Sequence, residues 1–312
     1  MKDNAMTAQS PAGTATPHMS LENWALLIVL GAVWGGSYFF ARIAVGEMPP
    51  LMLVMFRVSI AALILQAYLA LRGPSFRTAL PLAGSFCVMA LLNNVIPFSL
   101  IFMGQTEVGA GLASVLNATT PFWTAILANM LTADEKLSVT KITGIALGIA
   151  GTAVMIGPGL FAGLGGPIWA KFAMIGGAVS YGFAFIYARR FRNVPSPIVA
   201  AGQLSASSVI MIPLVLALYG TGNLFAFSGN VWAAVIGLAA LSTAFAYLIY
   251  FRVLASAGAT NASLVTFLNP VSAILLGTVF LGERLARFEM AGMALIAAGL
   301  IVIDGRLIAR IR

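Results

Sequence analysis

The residues of this sequence that could do chemistry are polar side chains in the middle of long apolar stretches. Asn93 and Asn94 lie just before Pro97, and Ser242 and Thr243 occupy the corresponding place 149 residues later. An amide without a partner in hydrocarbon costs several kcal/mol, so these groups must face other protein groups or a water-filled cavity. They either hold neighbouring helices together or line a cavity, and we take Asn93, Asn94 and Thr243 as candidate ligand contacts.

Two prolines interrupt apolar stretches at equivalent depths. Pro121 and Pro270 lie 149 residues apart, and neither can donate to the carbonyl four residues earlier, at Asn117 and Thr266. The pattern predicts a helix broken in its middle in each copy, with a backbone carbonyl released there and Asn269 beside the second break. Such kinks can be passive, but broken helices also carry substrate contacts and gating hinges. Because both copies keep the kink, we predict that the prolines are paired hinges.

Aromatic side chains form a third candidate group. Trp and Tyr usually concentrate at the membrane interface, but Trp34 and Tyr181 lie near the middle of apolar stretches and are equivalent at a spacing of 147 residues. Both neighbour glycines, which allow another helix to approach closely. These two residues, with Tyr38 and Tyr247, provide either core packing or aromatic faces for a ligand.

Arg57 lies six residues into an apolar stretch, about 9 Å along a helix. Arginine at mid-membrane costs at least ~2.5–3.5 kcal/mol. The residue 147 positions later is the apolar Leu204. From this depth the side chain can snorkel to the outer surface, which is the role we expect. The alternative is contact with the carboxylate of a substrate.

The sequence lacks the residues that several kinds of chemistry need. All nine Asp and Glu residues lie in tails, loops or predicted helix ends, so no carboxylate is placed for a proton or sodium relay at mid-membrane. The single Cys87 and the single His18 leave no metal site. The sequence has no glycine-rich nucleotide loop. We therefore expect no metal, no other cofactor, no ATP-driven step and no enzyme activity.

The composition indicates that the elements that carry these residues lie in a lipid bilayer. Hydrophobic residues make up 60% of the chain and charged residues 8%, whereas a soluble protein has about 25% charged residues. We predict an all-α membrane protein, because each apolar stretch is long enough to cross a bilayer core of ~30 Å as a helix. The net charge of +8 is scattered between the stretches, which argues against nucleic acid as a partner. Ten transmembrane helices are predicted, near 24–46, 51–72, 80–103, 108–131, 139–157, 170–191, 197–219, 230–254, 259–281 and 287–307.

The chain repeats itself over nearly half of its length. Residues 113–114 recur as 262–263 after 149 positions, and residues 135–137 recur in kind as 283–285 after 148. Each unit has five predicted helices, an odd number, so the second unit enters the membrane from the opposite side and the repeats are inverted. The predicted organisation is a disordered tail at 1–22, a first five-helix repeat at 23–157, a Gly/Pro linker at 158–168 and a second repeat at 169–312.

The basic residues predict the orientation. With the N-terminus inside, five of the 17 Lys and Arg residues fall at outer helix ends. Cytoplasmic ends carry the excess of positive charge in membrane proteins, so both termini are predicted to be cytoplasmic. The five residues at outer ends are Arg42, Arg57, Lys171, Arg284 and Arg287.

Two motifs carry a resemblance to a known family. The first helix contains AVWGGSYFFAR at Ala32–Arg42, and the ninth helix ends in Gly282-Glu283-Arg284-Leu285. With the two five-helix units, the chain over residues 24–305 resembles the EamA branch of the drug/metabolite transporter superfamily and is similar to its bacterial aromatic amino-acid and metabolite exporters. The first copy of the second motif departs, with Ala133-Asp134 where Gly-Glu is typical. The resemblance implies ten helices, inverted repeats around a central cavity and export of small metabolites across the bacterial inner membrane.

We therefore expect a secondary transporter that works by alternating access. Its expected cargo is a small uncharged or zwitterionic molecule with an apolar part, such as an amino acid, and a channel or facilitative pore is the alternative. The expected surroundings are the lipid bilayer, as a monomer or homodimer, without nucleic acid. The predicted substrate contacts are Trp34, Tyr38, Asn93, Asn94, Asn117, Tyr181, Thr243, Tyr247, Thr266 and Asn269, with hinges at Pro121 and Pro270.

Overall fold

A computed structural model describes residues 20–133, 137–162, 167–262 and 264–304, and every regular element in these ranges is helical. Most of the predicted tail, residues 1–19, lies outside the described residues, as do 134–136, which include Glu135, and 305–312. The α-helices are α1 Leu21–Ala44, α2 Pro50–Arg72, α3 Ala83–Ala90, α4 Ile96–Gln105, α5 Ala110–Asn117, α6 Thr120–Leu131, α7 Val139–Ala162, α8 Ile168–Tyr187, α9 Ser196–Tyr219, α10 Gly229–Ile236, α11 Ala246–Ala262, α12 Val265–Leu281 and α13 Arg287–Asp304. Short 3₁₀ segments, Phe76–Leu82 and Ala188–Phe191, accompany them.

The helices have the length and surface of membrane spans. Within the described ranges, seven helical stretches are long and apolar enough to cross a membrane, and α12 is a shorter apolar helix of 17 residues. Apolar side chains fill the interior and also cover the outside: Leu65 is fully buried, whereas Leu63 and Val279 are 71% and 70% exposed. An outer surface of this kind is typical of helices that face lipid tails. The prediction of an all-α membrane protein is confirmed for the part of the chain that the structure describes.

The polar pairs that the sequence placed in helix middles occupy π-helical segments. Leu91–Val95 joins α3 to α4 and contains both asparagines, and Gly237–Phe245 joins α10 to α11 and contains Thr243. The Thr243 hydroxyl donates to the carbonyl of Leu238, five residues earlier, at 2.8 Å. π segments inside α-helices often mark functional sites, because they change the helix register locally and re-aim the side chains.

The first repeat has a broken helix between α5 and α6. The hydroxyls of Thr119 and Thr120 donate to the carbonyls of Leu116 and Asn117, at 2.6 and 2.7 Å. These side-chain bonds compete with the helical backbone pattern and end α5. The predicted break near Pro121 is present. The prediction that the Asn117 carbonyl is free is wrong, because the Thr120 hydroxyl donates to it.

The second repeat lacks the equivalent break. α12 runs without interruption from Val265 to Leu281 and contains Pro270, so the predicted break at 269–270 is wrong. The positions equivalent to the two threonines are Leu268 and Asn269, which have no hydroxyl to take the backbone carbonyls. In addition, α1 packs closely here: a Cβ on Gly35 would lie 2.4 Å from the Asn269 carbonyl oxygen. This close contact with α1 keeps α12 continuous at Pro270.

Helices α7 and α13, the last of each repeat, cross at glycines. A Cβ on Gly144 would lie 2.7 Å from the Gly299 carbonyl oxygen, and one on Gly151 would lie 2.7 Å from the Gly292 carbonyl oxygen. The contacts ascend along α7 while they descend along α13, so the two helices are antiparallel. The spacing from Gly144 to Gly292 and from Gly151 to Gly299 is 148 residues in both cases. Each repeat therefore contributes the same pair of glycines to the crossing.

The connection between the repeats begins later than predicted. α7 continues to Ala162, so residues 158–162 of the expected linker are helical. Residues 163–166 lie outside the described residues, and α8 begins at Ile168.

Candidate functional site

Arg57 lies inside the protein, and the expectation that it snorkels to the surface is wrong. Its side chain is 8% exposed, its Nε donates to the Thr243 hydroxyl at 3.0 Å, and its guanidinium lies 3.7 Å from the centre of the Phe98 ring. No carboxylate among the described residues pairs with it. The π segment of Thr243 and the aromatic face on α4 hold the guanidinium in the interior, which the distance along α2 could not reveal.

A small central cavity lies beside this guanidinium. Its volume is about 40 Å³, enough for one or a few water molecules and too small for a metabolite. Helices α1, α2, α4 and α8 form its walls, so the cavity lies where both repeats meet. Two of the predicted contacts, Tyr38 and Tyr181, face it together. The lining residues are Ser37, Tyr38, Arg57, Phe98, Ile101, Phe102, Gln105 and Tyr181.

The two asparagines of the first π segment take part in hydrogen bonds between helices. Asn93 Nδ2 donates to Gln203 Oε1 at 2.9 Å and lies 3.5 Å from the Tyr247 hydroxyl. Asn94 Nδ2 donates to the Ser207 hydroxyl at 2.9 Å. These contacts join the segment to α9 and α11 and do not line the central cavity. Thr243 is in the second π segment and reaches the cavity only through its bond to the Arg57 side chain.

Other predicted contacts lie apart from the cavity. Trp34 stacks at an angle on Tyr250, with ring centres 5.4 Å apart, in a separate apolar cluster of α1, α11 and α12. Asn117 and Asn269 each bury a side-chain oxygen without a hydrogen-bond partner, at the end of α5 and inside α12. Thr266 lies in the first turn of α12. The structure therefore groups the two tyrosines with Arg57 and leaves Trp34, Thr266 and Asn269 outside that group, whereas the Asn117 side chain is a hydrogen-bond partner of Tyr38 behind the cavity wall.

Gln105 is a cavity residue that the sequence analysis missed. The side chain, at the end of α4, is fully buried, and its Nε2 donates to the Tyr38 carbonyl at 2.8 Å. Its Oε1 has no hydrogen-bond partner. An amide beside an apolar stretch was visible in the sequence, but the predicted third helix ended at residue 103. The extension of α4 to residue 105 is what brings this amide to the cavity.

A much larger cleft opens at one end of the helices. Its volume is about 790 Å³, and it lies between the end of α1, the α4–α5 connection and the α12–α13 connection. Arg42, which lines the cleft, donates to the backbone carbonyls of Gln105 and Thr106. Arg42, Gln105 and Tyr38 therefore form one layer between the cleft and the central cavity. The charged residues of the cleft are Arg42, Glu107, Glu283, Arg284 and Glu289.

Glu283, from the second of the two sequence motifs, caps a helix of the other repeat. Its carboxylate accepts hydrogen bonds from the backbone N–H groups of Ala110 and Gly111, at 2.8 and 3.2 Å. Gly282 ends α12 with φ of 66°, a left-handed conformation that glycine adopts without strain, and turns the chain toward α5. The negative charge lies at the positive end of α5, where it is favourable. The motif therefore joins the two repeats.

Comparisons with known proteins agree with this architecture. Residues 22–157 and 168–304 each match the model described as the EamA-like transporter family. Similar proteins include "Uncharacterized inner membrane transporter YedA" of Escherichia coli K12, 30% identical over 282 residues and 89% of both chains. "Uncharacterized transporter YvbV" of Bacillus subtilis 168 is 28% identical over 289 residues, with 89% of this chain and 90% of that protein covered. A crystal structure with 20% sequence identity shares the fold, with a TM-score of 0.65 over 93% of this chain and 99% of the other.

Proposed function

The chain belongs to the EamA-like transporter family, and we propose that it exports a small metabolite with a carboxylate and an apolar part, such as an amino acid. The observation that carries this proposal is Arg57, a buried guanidinium beside the central cavity that lacks a carboxylate partner among the described residues. Burying an unpaired cation is costly, which favours a role in binding an anionic group. The two tyrosines that line the cavity offer aromatic faces for the apolar part of the cargo.

Alternating access is supported by the unequal openings of the molecule. The cavity beside Arg57 has room for water only, whereas the cleft on one side reaches about 790 Å³. A single layer of Arg42, Gln105 and Tyr38 separates the two. A transporter has to open and close such a layer to move cargo without forming a continuous pore.

Ten membrane crossings in two inverted repeats are the architecture that we infer. Three pairs of helices, α3–α4, α5–α6 and α10–α11, each act as one crossing in this arrangement, which reduces thirteen helices in the described ranges to ten. The antiparallel crossing of α7 and α13 supports inversion, because equivalent helices of inverted repeats must run in opposite directions.

We further propose the cytoplasmic membrane of a bacterium as the location, with both termini inside. The name of the Escherichia coli relative includes the inner membrane, and the distribution of basic residues supports this orientation. The large cleft, with Arg42 and Arg284, then opens to the outside. We propose no partner other than lipid, the cargo and, at most, a second copy.

Coupling to protons through a carboxylate at mid-membrane has no support among the described residues, because the buried Glu289 lies in the first turn of α13. Four carboxylates have structural partners: Glu22 pairs with Arg252, Glu47 accepts from Ser228 at the start of α10, Glu283 caps α5, and Glu289 accepts from the Ala286 N–H. Glu107 is exposed in the cleft. We propose that transport does not depend on a membrane-embedded acid.

Counterflow in proteoliposomes tests the proposed function. Purified protein is reconstituted with unlabelled amino acids inside, and uptake of labelled amino acid is followed with competitors that lack the carboxylate. We expect saturable counterflow, weak competition by decarboxylated amines and loss of counterflow in Arg57→Met. Arg252→Met, which removes an exposed arginine paired with Glu22, is the matched control and should transport normally.

Two results would contradict this proposal. If decarboxylated amines compete with the labelled amino acid as well as carboxylates do, Arg57 does not bind the carboxylate of the cargo. Flux that rises linearly with concentration and shows no counterflow would favour a channel or facilitative pore.

A further inference from the structure

Gln105 lines the central cavity, and its side chain carries a buried hydrogen-bond acceptor without a donor. Its two ends are in different situations: Nε2 is fixed by the Tyr38 carbonyl at 2.8 Å, and Oε1 is buried without a donor. Buried polar atoms almost always have a partner, so an unpaired oxygen in a side chain that lines the cavity favours a role in binding a donor. The bond from Nε2 also fixes the assignment of the amide, because a flipped amide would place oxygen against the Tyr38 carbonyl oxygen.

The donors on the same cavity complement this acceptor. Arg57 lines the cavity, and the only hydrogen bond made by its guanidinium in the described part of the chain is from Nε to Thr243. A guanidinium has five N–H donors and no acceptor, and the Gln105 Oε1 is an acceptor without a donor. The cavity thus offers cationic donors and a neutral acceptor within about 40 Å³, so their ligand groups must be close together.

We propose that Gln105 determines specificity by accepting a hydrogen bond from the ammonium group of the cargo. This inference rests on the proposed function, because it places the carboxylate of the same molecule at Arg57. The two contacts together select an α-amino acid, in which the ammonium and the carboxylate share one carbon neighbour. A carbonyl oxygen, unlike a carboxylate, binds an ammonium without forming an ion pair that must be broken at each release.

The position of Gln105 also orients the cargo. Its backbone carbonyl accepts from Arg42, a residue that lines the outer cleft, while its side chain bonds to Tyr38 at the cavity. The ammonium therefore lies against the layer between cavity and cleft.

Competition with three ligands of one carbon skeleton tests the proposal. The ligands are an amino acid that supports counterflow, its deaminated acid and its decarboxylated amine. In the wild type, the amino acid should compete at least about tenfold better than the deaminated acid. In Gln105→Met, this ratio should approach one, while the amine stays a poor competitor. Gln66→Met is the matched control and should keep the ratio of the wild type, because the bond of Gln66 within the described ranges is to Ser205 at 3.0 Å, away from the cavity.

The outcomes separate the two proposals. If the wild type does not prefer the amino acid, or if Gln105→Met keeps that preference, the ammonium site is wrong while the carboxylate requirement stands. If neither deamination nor decarboxylation matters, the proposed function itself fails. Should Gln105→Met fold poorly, thermal unfolding of the wild type with each ligand gives the same comparison. Equal stabilisation by the amino acid and the deaminated acid would overturn the ammonium site.

Discussion

Arg57 shows at the scale of one residue how function and stability oppose each other. The guanidinium is buried against Phe98, with a hydrogen bond to Thr243 and no carboxylate partner in the described chain. Replacing buried charges by apolar groups of similar volume is often neutral or stabilising. The Thr243 hydroxyl keeps its own bond to the Leu238 carbonyl when the arginine is removed.

We therefore expect Arg57→Met to raise the free energy of unfolding, or leave it unchanged, with gains of up to about 1–4 kcal/mol. Thermal unfolding in detergent measures this effect. Arg57→Ala should be less stable than Arg57→Met, because it leaves a cavity beside Phe98. A marked loss of stability in Arg57→Met would mean that the guanidinium is a structural group.

Glu283→Gln is predicted to lower the free energy of unfolding by about 1–2 kcal/mol. The carboxylate accepts two backbone hydrogen bonds at the start of α5, and an amide retains only one acceptor oxygen and no charge. The matched control is Glu107→Gln, in the same cleft but exposed, which should be neutral. Flux per folded molecule should persist in both variants. Abolished exchange in a folded Glu283→Gln protein would show that this acid couples transport.

Residue types and spacing could predict part of the site. Tyr181 was found because aromatic residues in mid-helix are unusual, Tyr38 was included in the same aromatic group, and both line the cavity. Burial could not be predicted in the same way: the distance of Arg57 along its helix allowed an exit to the surface, and only the neighbouring helices close that exit. Gln105 was missed because its importance depends on where α4 ends.

At the scale of elements, the two prolines differ in their position within a helix. Pro121 lies in the first turn of α6, where backbone N–H groups have no intrahelical acceptor, and Pro270 lies inside α12. Pro270→Ala should therefore stabilise the fold by about 0.5–1.5 kcal/mol, because it supplies an N–H to the helix interior. Pro121→Ala should change stability by less than about 0.5 kcal/mol.

The paired hinges remain a prediction, and the same variants test it. If each proline serves one gate, both variants should slow counterflow and should change the accessibility of probes from opposite sides of the membrane. Wild-type rates with unchanged accessibility in both variants would make the prolines packing features.

Hydropathy predicts helices well but not their internal irregularities. The π segments at Leu91–Val95 and Gly237–Phe245 contain the polar pairs that the sequence marks in helix middles, but a polar pair does not by itself indicate a change of helical register. The break after α5 depends on Thr119 and Thr120, two hydroxyls that a hydropathy pattern treats as minor interruptions. Local hydrogen bonds, and not proline alone, decide where these helices break.

At the scale of the whole molecule, the glycine crossing of α7 and α13 holds the last helices of the two repeats together. Gly151→Ala and Gly292→Ala should each lower the free energy of unfolding by about 1–3 kcal/mol, because the added methyl group meets backbone atoms 2.6–2.7 Å away. Gly84→Ala in α3, where nothing lies within 4 Å, is the control and should be neutral or slightly stabilising. Similar stability in all three variants would mean that the crossing is loosely packed.

Orientation can be tested by single cysteines in a background without Cys87. A cysteine at Glu107, in the exposed α4–α5 connection, should react with an impermeant reagent from outside. Arg192 is exposed just after the C-terminal end of α8, on the opposite side of the membrane from Glu107 in the proposed topology. A cysteine at this position should react only after permeabilisation. The reverse pattern would invert the proposed topology.

Composition and internal repetition predicted the membrane environment and the two related units, because both depend on the average properties of long segments. The size of the openings was not predictable, since the same helices can enclose a cavity of about 40 Å³ or a larger one.

The cap on α5 has a consequence for biosynthesis. Ala110 and its acceptor on Glu283 are 173 residues apart. At ~5–20 residues per second, α5 emerges from the ribosome roughly 9–35 s before the residue that completes it. During that interval the first repeat is inserted in the membrane with the start of one helix unsatisfied. A nascent chain that stops at the linker is therefore a natural target for membrane quality control, and separately expressed halves can complete each other only by meeting in the bilayer.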